Sequence, residues 1–317
     1  MKTDGRYLYS FQENDHIIVI LDAKTLVKVK SIRIPTTYYG VTFYLTKNKL
    51  ILTATKSSPY NARWYGWYDN EQKSVVALYD ISNPLQASLS RVIQVDGSLS
   101  DSRVADDGMM TAVVSTSYWT PPIYRMYSQT DMDSKSLDYS SRTLIPRISD
   151  MVLTTKGAYK TSARTIADCS RMGSILPDTN SLDAFSFSPT LTSILRFDTR
   201  VAAGAITSQV VLSEAGQIHL SKESIYLTSN MWLPRQSPCP RNAMCAMPIW
   251  YNPGTSTTLV HRFAFSGINT NYVYSKSIPG NPLSQYSMDE DASRNFRIVT
   301  SESGDKQSTR VSILDPK

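Results

Sequence analysis

The sequence predicts an all-β protein, and three features indicate this class. Tyrosine is frequent, with 19 Tyr against 8 Phe, and aromatic and β-branched residues favour strands. Short apolar or alternating runs recur along the 317 residues, each of a length typical of a strand rather than a helix. Long segments with the 3.6-residue helical period are absent from the sequence. The length suffices for one large β domain or two smaller ones.

The first predicted strands follow an Asp-Gly turn close to the N-terminus. Residues 5–11 alternate as a strand does, and residues 17–22 form a continuous apolar run that is typical of a buried strand. Residues 26–35 alternate strictly and end at Pro35. Because proline cannot donate a backbone hydrogen bond, this last run is predicted to be an outer strand.

The most complete group of strands comes next. Two apolar β-branched runs, residues 50–55 and 75–82, predict a pair of inner strands joined by a long aromatic insert. Residues 39–45 precede this pair and residues 89–97 follow it. The result is a predicted meander of four antiparallel strands within about sixty residues.

The same order of strands recurs along the chain. The equivalent second strands are predicted at residues 7–11, 50–55, 109–115, 225–229 and 296–300. The third strands that follow are predicted to end at Asp22, Asp80, Asp198, Phe265 and Asp315. A repeat of forty residues or more, with four strands in each copy, predicts the blades of a β-propeller. Two packed sheets of a β-sandwich are the alternative fold.

We therefore predict one β-propeller domain over residues 1–317, with about five blades and with the first and last incomplete. The blade bounds are roughly 5–35, 38–97, 99–206, 208–280 and 283–317. Residues 117–188 are a long insertion in the third blade, expected to form extra strands or a short helix. The first blade is expected to lack its first strand and the fifth its last. Another chain, a further segment or a neighbouring copy is expected to supply them.

Three motifs resemble a family of secreted bacterial and archaeal β-propeller domains distantly related to the WD repeats. They are Lys-Thr-Asp-Gly-Arg-Tyr-Leu-Tyr at 2–9, Val-Ala-Leu-Tyr-Asp-Ile-Ser-Asn-Pro at 76–84, and Gln-Tyr-Ser-Met-Asp-Glu at 285–290 followed by Phe-Arg-Ile-Val-Thr at 296–300. The chain resembles only the front part of the family domain. The resemblance implies an exported protein, extracellular or in the cell envelope, with its leader upstream of this chain. It supplies no catalytic residues.

The charge pattern bears on the class of partner. The formal net charge is +6, but the Lys and Arg residues are scattered and form no basic run. A nucleic-acid partner is therefore not expected. No apolar stretch approaches the ~20 residues that span a bilayer, so no transmembrane segment is predicted.

Aromatic loops are the candidate recognition surfaces. The insert between the two inner strands concentrates such residues: Tyr60, Arg63, Trp64, Tyr65, Trp67 and Tyr68. Trp119 and Trp250 lie in similar segments. Aromatic side chains provide contact area at low entropic cost. They predict binding of a protein partner, another copy of the chain or a glycan, and packing against the blade edges is the alternative.

Three cysteines are present. Cys239 and Cys245 lie six residues apart in a proline-punctuated loop and could form a disulfide in an oxidising compartment. Two unrelated thiols are the alternative, and Cys169 is expected to be free. The lack of a second Cys pair or a His cluster argues against zinc.

Acidic residues provide one candidate metal site. Asp289, Glu290 and Asp291 lie between two predicted strands, and their clustered oxygens could bind Ca²⁺. The alternative is an ordinary solvated acidic turn. No other cofactor is predicted.

Catalytic motifs are absent from the sequence. The three histidines His16, His219 and His261 are spread through different strands or loops, with no His-x-x-x-His pair and no Gly-x-Ser-x-Gly elbow. The predicted function is therefore a binding or scaffold module of the cell envelope or a surface assembly. The alternative is a propeller hydrolase of glycans or peptides, with acidic residues from different blades meeting at the axial mouth.

Overall fold

A computed structural model describes residues 1–56, 72–117, 145–154, 156–167, 173–174, 190–233, 255–302 and 308–316. Regular structure in these ranges consists of 23 β-strands and short 3-10 turns. The strands form five sheets, as the alternating and apolar runs predict. Within these ranges, none of the helical segments has the length and apolar character that crossing a membrane requires.

The first sheet contains four antiparallel strands in sequential order. They are β1 (Lys2–Thr3), β2 (Tyr7–Gln12), β3 (Ile17–Asp22) and β4 (Lys28–Arg33). The expected lack of a first strand is wrong, because Lys2 pairs with Tyr9 and Thr3 with Leu8. A strand of two residues is too short to show an alternating pattern, so the sequence gives no signal for it.

The Lys-Thr-Asp-Gly motif forms the turn between β1 and β2. The carboxylate of Asp4 accepts hydrogen bonds from the backbone N–H groups of Arg6 (2.9 Å) and Tyr7 (2.7 Å). It also accepts one from the Tyr9 hydroxyl at 3.0 Å. Gly5 has a φ of +93°, a conformation that glycine adopts without steric cost. Aspartate and glycine are therefore both required by the geometry of this turn.

The second sheet has six strands and includes part of the long insertion. Its strands are β5 (Tyr38–Leu45), β6 (Lys49–Lys56), β7 (Lys73–Asp80), β8 (Ser88–Asp96), β11 (Arg147–Leu153) and β12 (Tyr159–Thr165). Their order is β12-β11-β8-β7-β6-β5. The insertion therefore contributes a hairpin, β11–β12, which extends this sheet through pairs such as Ile148 with Val95.

The third sheet has five strands in the order β13-β15-β14-β10-β9. They are β9 (Ser98–Val104), β10 (Met109–Ser117), β13 (Gly173–Ser174), β14 (Thr190–Asp198) and β15 (Thr207–Leu212). The predicted Asp-Gly turn joins β9 to β10. Gly108 has a φ of +79° there, and the Asp107 carboxylate accepts a hydrogen bond from the Met109 N–H at 3.0 Å.

The remaining strands, β16 to β23, form the fourth and fifth sheets. The fourth has sequential order and contains β16 (Ile218–Leu220), β17 (Ser224–Leu233), β18 (Thr255–Ser266) and β19 (Asn269–Pro279). The fifth contains β20 (Asn281–Pro282), β21 (Met288–Glu290), β22 (Phe296–Glu302) and β23 (Ser308–Leu314). Both β20 and β21 pair with β22, and β23 pairs with the other side of β22. The fifth sheet is thus three strands wide in its described part.

All five predicted second strands are confirmed as strands β2, β6, β10, β17 and β22. The aspartates that end three of the third strands accept hydrogen bonds from the following turn, as aspartate commonly does. Asp22 accepts from the Thr25 N–H (2.9 Å), Asp80 from the Ser82 N–H (2.9 Å), and Asp198 from the Arg200 N–H (2.9 Å).

The chain divides into two compact units, Met1–Met172 with Thr192–Val210, and Gly173–Leu191 with Val211–Lys317. A core in the first unit includes Tyr9, Ile18 and Leu52. The second unit has a separate core of apolar residues, namely Tyr226, Val260, Ile278, Met288, Phe296 and Ile298. This division does not test whether residues 1–317 form a single domain, which stays a prediction.

Candidate interaction surface

The central strand of the fifth sheet, β22, is buried on one face only. Its residues alternate between buried and exposed positions from Phe296 to Thr300. A strand places successive side chains on opposite faces, so the alternation marks one covered and one open face. By contrast, the inner strands β6 and β7 of the second sheet are buried on both faces over six consecutive residues.

The open face of the fifth sheet carries apolar side chains. Val299 pairs directly with Val311, and Arg297 pairs with Ile313. Directly opposed residues of antiparallel strands project from the same face, so Val311 and Ile313 share the exposed face of Val299. Val311 is 66% exposed and Ile313 is 63% exposed. These side chains form an apolar stripe that crosses two strands.

We define the outer face as Val299, Val311 and Ile313. Two further exposed apolar side chains, Leu283 and Tyr286, lie in the segment between β20 and β21, and Tyr286 is 88% exposed. Single exposed apolar residues are ordinary, but a contiguous apolar group such as the outer face marks an interaction surface.

One charged pair lies beside the apolar side chains of the outer face. Arg297 forms an ion pair with Asp289 across β21 and β22, and Arg297 alternates with the buried residues of β22 as Val299 does. Arg310 pairs with the buried Thr300, so its ion pair with Glu302 at 3.2 Å belongs to the other face. Both pairs are solvent-exposed, so each contributes little to stability. A neutralised charged pair beside apolar side chains resembles the polar rim of a protein interface.

The covered face of β22 is held by an aromatic stack. The rings of Tyr226 and Phe296 lie with centroids 3.9 Å apart and planes 9° apart. Met288, Ile298 and Leu314 pack into the same cluster. Strands β21, β22 and β23 are thereby anchored through one face, and their outer face is presented to solvent.

A buried polar cluster lies beside the stack. The Tyr226 hydroxyl donates a hydrogen bond to Glu290 at 2.8 Å, and Arg262 lies 3.9 Å from the same carboxylate. Arg262 also donates to the hydroxyl of Ser224 at 3.2 Å and to the carbonyl of Pro316. Burial and the negative charge of Glu290 raise the pKa of Tyr226 well above its usual value. The tyrosine is therefore neutral and acts as a donor.

The three acidic residues of the predicted Ca²⁺ site have separate partners. Asp289 pairs with Arg297, and Glu290 belongs to the buried cluster. Asp291 caps the following turn by accepting hydrogen bonds from the N–H groups of Ser293 (2.8 Å) and Asn295 (2.9 Å). Hydrogen bonds from Asn295 lower the pKa of Asp291. In the part of the chain that the structure describes, no group of three or more His, Cys, Asp and Glu could hold a metal ion. The arrangement gives the Ca²⁺ prediction no support.

The other predicted site residues lie outside the described ranges. This applies to the aromatic loop residues Tyr60, Arg63, Trp64, Tyr65, Trp67, Tyr68, Trp119 and Trp250, and to the cysteines Cys169, Cys239 and Cys245. Their roles stay predictions. The outer face could not be predicted from the sequence, because the alternation of β22 does not identify which of its two faces is open.

Comparison with known proteins identifies the family. A search of curated proteins found no match. A family model described as "Beta propeller domain" matches residues 1–317. This match agrees with the five sheets, whose strands are antiparallel except for the β13–β15 pair, and with the repeat order of these strands. The chain therefore belongs to the β-propeller domain family.

Proposed function

We propose that the protein is an exported β-propeller that acts as a binding or scaffold module of the cell envelope or of a surface assembly. Membership of the β-propeller family supports a protein-interaction or scaffold kind of module. The outer face of the fifth sheet is the proposed main contact surface. The aromatic loops around Tyr60–Tyr68, Trp119 and Trp250 add contacts to protein or glycan.

The exposure of the outer face is the observation that carries this proposal. Val299, Val311 and Ile313 expose apolar surface on one face of the fifth sheet, whereas the inner strands β6 and β7 of the second sheet are buried on both faces. Leaving such side chains in water forfeits about 25 cal/mol for each Å² of apolar surface that a partner would cover. A protein partner with an apolar centre and a polar rim matches this face.

Export rests on the resemblance of the three motifs and on the cysteine pair. A disulfide between Cys239 and Cys245 fits an oxidising compartment. The same loop contains Trp250 a few residues later.

The test is made in cells that express the chain in its natural context. A photo-activatable residue replaces Val299 on the outer face or, as a control, Val27, which is 61% exposed in the first unit. We expect labelling by a reagent that does not cross membranes. We also expect adducts with a second envelope protein at position 299, lost on Ile313→Lys and absent at position 27. Labelling only after lysis, or equal adducts at both positions, contradicts the proposal.

A further inference from the structure

Strand β23 has an open edge. Among the described residues it pairs with β22 alone, through seven consecutive residue pairs from Leu314 with Phe296 to Ser308 with Glu302. Residues 308–311 and 313 are exposed. An edge strand presents unpaired backbone N–H and C=O groups, and these are a template for a further antiparallel strand.

One outermost strand of each of the first, second and fourth sheets is protected by charge. Strand β4 contains Lys28 and Lys30, β12 contains Lys160 and Arg164, and β19 contains Lys276. Lysine on an edge strand opposes the approach of another strand, which is how natural sheets avoid edge-to-edge pairing. Strand β23 contains no lysine and no proline.

The one charged side chain of β23 is compensated within its own sheet. Arg310 forms an ion pair with Glu302 at 3.2 Å, and Glu302 belongs to β22. The edge therefore presents no uncompensated charge to an approaching strand. Its exposed apolar side chains, Val311 and Ile313, continue the stripe of the outer face.

We propose that β23 pairs antiparallel with β23 of a second copy of this chain, around a two-fold axis through Val311. In this register Val311 lies opposite Val311 of the second copy, Arg310 opposite Ser312, Thr309 opposite Ile313, and Ser308 opposite Leu314. All seven residues of β23 take part in this pairing. The two outer faces lie on the same side and form one apolar stripe across both copies.

The charge of Arg310 and the direction of the apolar side chains favour this register over registers that are shifted along the strand. A shift that brings Arg310 opposite Arg310 places like charges in direct opposition, which destabilises a sheet. A shift by one residue projects the apolar side chains of the second copy to the opposite face, because the side-chain period of a strand is two. A self-complementary surface of this kind produces a closed dimer rather than a fibre.

The interface is expected to be weak. A stable interface buries about 800 Å² on each partner, and one seven-residue edge with its flanking side chains provides less. The dissociation constant is therefore expected on the order of micromolar. The inference deepens the proposed function by naming a second copy as one partner. It is tested on purified protein, so its failure is distinct from a failure of export or of binding to another envelope protein.

Sedimentation of the purified chain between roughly 1 and 200 μM, a range chosen around that affinity, tests self-association. We expect a monomer–dimer equilibrium. Val311→Lys places two lysines in direct opposition and weakens the dimer at least about tenfold. The matched control is Val27→Lys, which makes the same change at a valine of similar exposure and is expected to leave the equilibrium unchanged. A chain that stays monomeric throughout, or a dimer indifferent to Val311→Lys, overturns the proposal.

A charge exchange tests the register itself. Val311→Glu alone is expected to weaken the dimer as Val311→Lys does, and an equimolar mixture of the two variants is expected to restore it, since opposite charges then face each other. Val311→Cys is expected to form an intermolecular disulfide, because directly opposed Cα atoms lie about 4.5–5.5 Å apart. Thr309→Cys, on the same exposed face, is expected to form none beyond the wild-type background. Equal cross-linking at both positions, or no restoration in the mixture, contradicts the register.

Discussion

Tyr226 stacks face to face on Phe296, with ring centroids 3.9 Å apart, and its hydroxyl donates to Glu290 at 2.8 Å. One side chain therefore belongs to both the apolar core and the buried polar cluster of the second unit. The stack joins β17 to β22, and the hydrogen bond joins β17 to β21. The fifth sheet is held to the fourth through this residue.

Phe296→Ala is expected to destabilise the second unit by about 3–5 kcal/mol. Phe296 is fully buried, so the change removes its contacts and leaves a cavity beneath β22. Urea unfolding monitored by tyrosine or tryptophan fluorescence measures the loss. Phe296→Leu, which keeps most of the volume, is the control and is expected to cost less than half as much. Equal losses for the two variants would contradict the role of the stack.

Tyr226→Phe separates the hydrogen bond from the stack. The ring remains, but Glu290 loses the donor at 2.8 Å. A partly unsatisfied buried carboxylate costs about 1–3 kcal/mol. A double-mutant cycle with Glu290→Gln measures the coupling between the two side chains. Additive losses would show that the hydroxyl and the carboxylate act independently.

Arg91 on β8 anchors the inserted hairpin. Its guanidinium donates two hydrogen bonds to the Asp150 carboxylate on β11, at 2.9 and 2.7 Å, and a third to the Gly204 carbonyl at 2.7 Å. The ring of Phe197 lies 5.7 Å from the guanidinium carbon. The Arg91 side chain is only 1% exposed. A charge this deeply buried depends on its partners.

Asp150→Ala is therefore expected to destabilise the first unit by about 3–5 kcal/mol, because it leaves the buried guanidinium without its carboxylate. Arg103→Ala removes the exposed pair of Arg103 with Asp101, 3.8 Å apart, and is expected to cost at most about 1 kcal/mol. Thermal unfolding of both variants gives the comparison. Limited proteolysis should also cleave within residues 147–165 faster in Asp150→Ala, and unchanged cleavage would argue against the anchor.

The second strands and their turns could be predicted because their signals are local. Strand β22 shows its alternation within five residues, and Asp22 and Asp80 cap turns that follow within three residues. The pairing of β11 with β8 joins residues more than fifty positions apart. No local spacing encodes that pairing, so the sequence predicts extra strands or a short helix in the insertion without indicating a partner strand.

The same limit applies to the candidate surface and to the buried cluster. Tyr226, Arg262 and Glu290 meet from three different strands, and no motif connects them in sequence. The acidic neighbours of Glu290 make it a candidate Ca²⁺ ligand or part of a solvated acidic turn, and neither pattern indicates its contacts with Tyr226 and Arg262. Which face of β22 is open is likewise decided by packing on β17 rather than by the pattern of β22.

The Asp80 carboxylate is expected to stabilise the turn after β7 electrostatically. Its carboxylate accepts hydrogen bonds from the Lys49 ammonium (2.8 Å) and the Ser82 N–H (2.9 Å), and these lower its pKa to about 2. Because the folded pKa lies below the unfolded value of 3.8, this stabilisation is present above pH 3.8 and is lost as the pH falls toward 2. The side chain is partly exposed, so Asp80→Asn is expected to cost about 1 kcal/mol at neutral pH. The loss should shrink in high salt, and a salt-independent loss would contradict the electrostatic origin.

His261 is buried in the fourth sheet between two hydroxyl groups. Its Nε2 atom lies 2.9 Å from the Ser213 hydroxyl, and its Nδ1 atom lies 2.5 Å from the Ser275 hydroxyl. Burial lowers the pKa of this imidazole from 6.5 to about 4. The native ring is therefore neutral at pH 5, where the unfolded chain carries a proton on it.

The stability of the second unit should consequently fall as the pH decreases from 6.5 to 4, because the unfolded state binds a proton that the native state does not. At pH 4 the free energy of unfolding is expected to be about 3 kcal/mol lower than well above pH 6.5, since each pKa unit corresponds to about 1.4 kcal/mol. The carboxylates with lowered pKa, such as Asp80, titrate below this window and do not obscure it. Urea unfolding at half-unit pH steps measures the slope. His261→Gln should abolish most of the slope while His219→Gln keeps it, and an unchanged slope in His261→Gln would assign the acid sensitivity to another group.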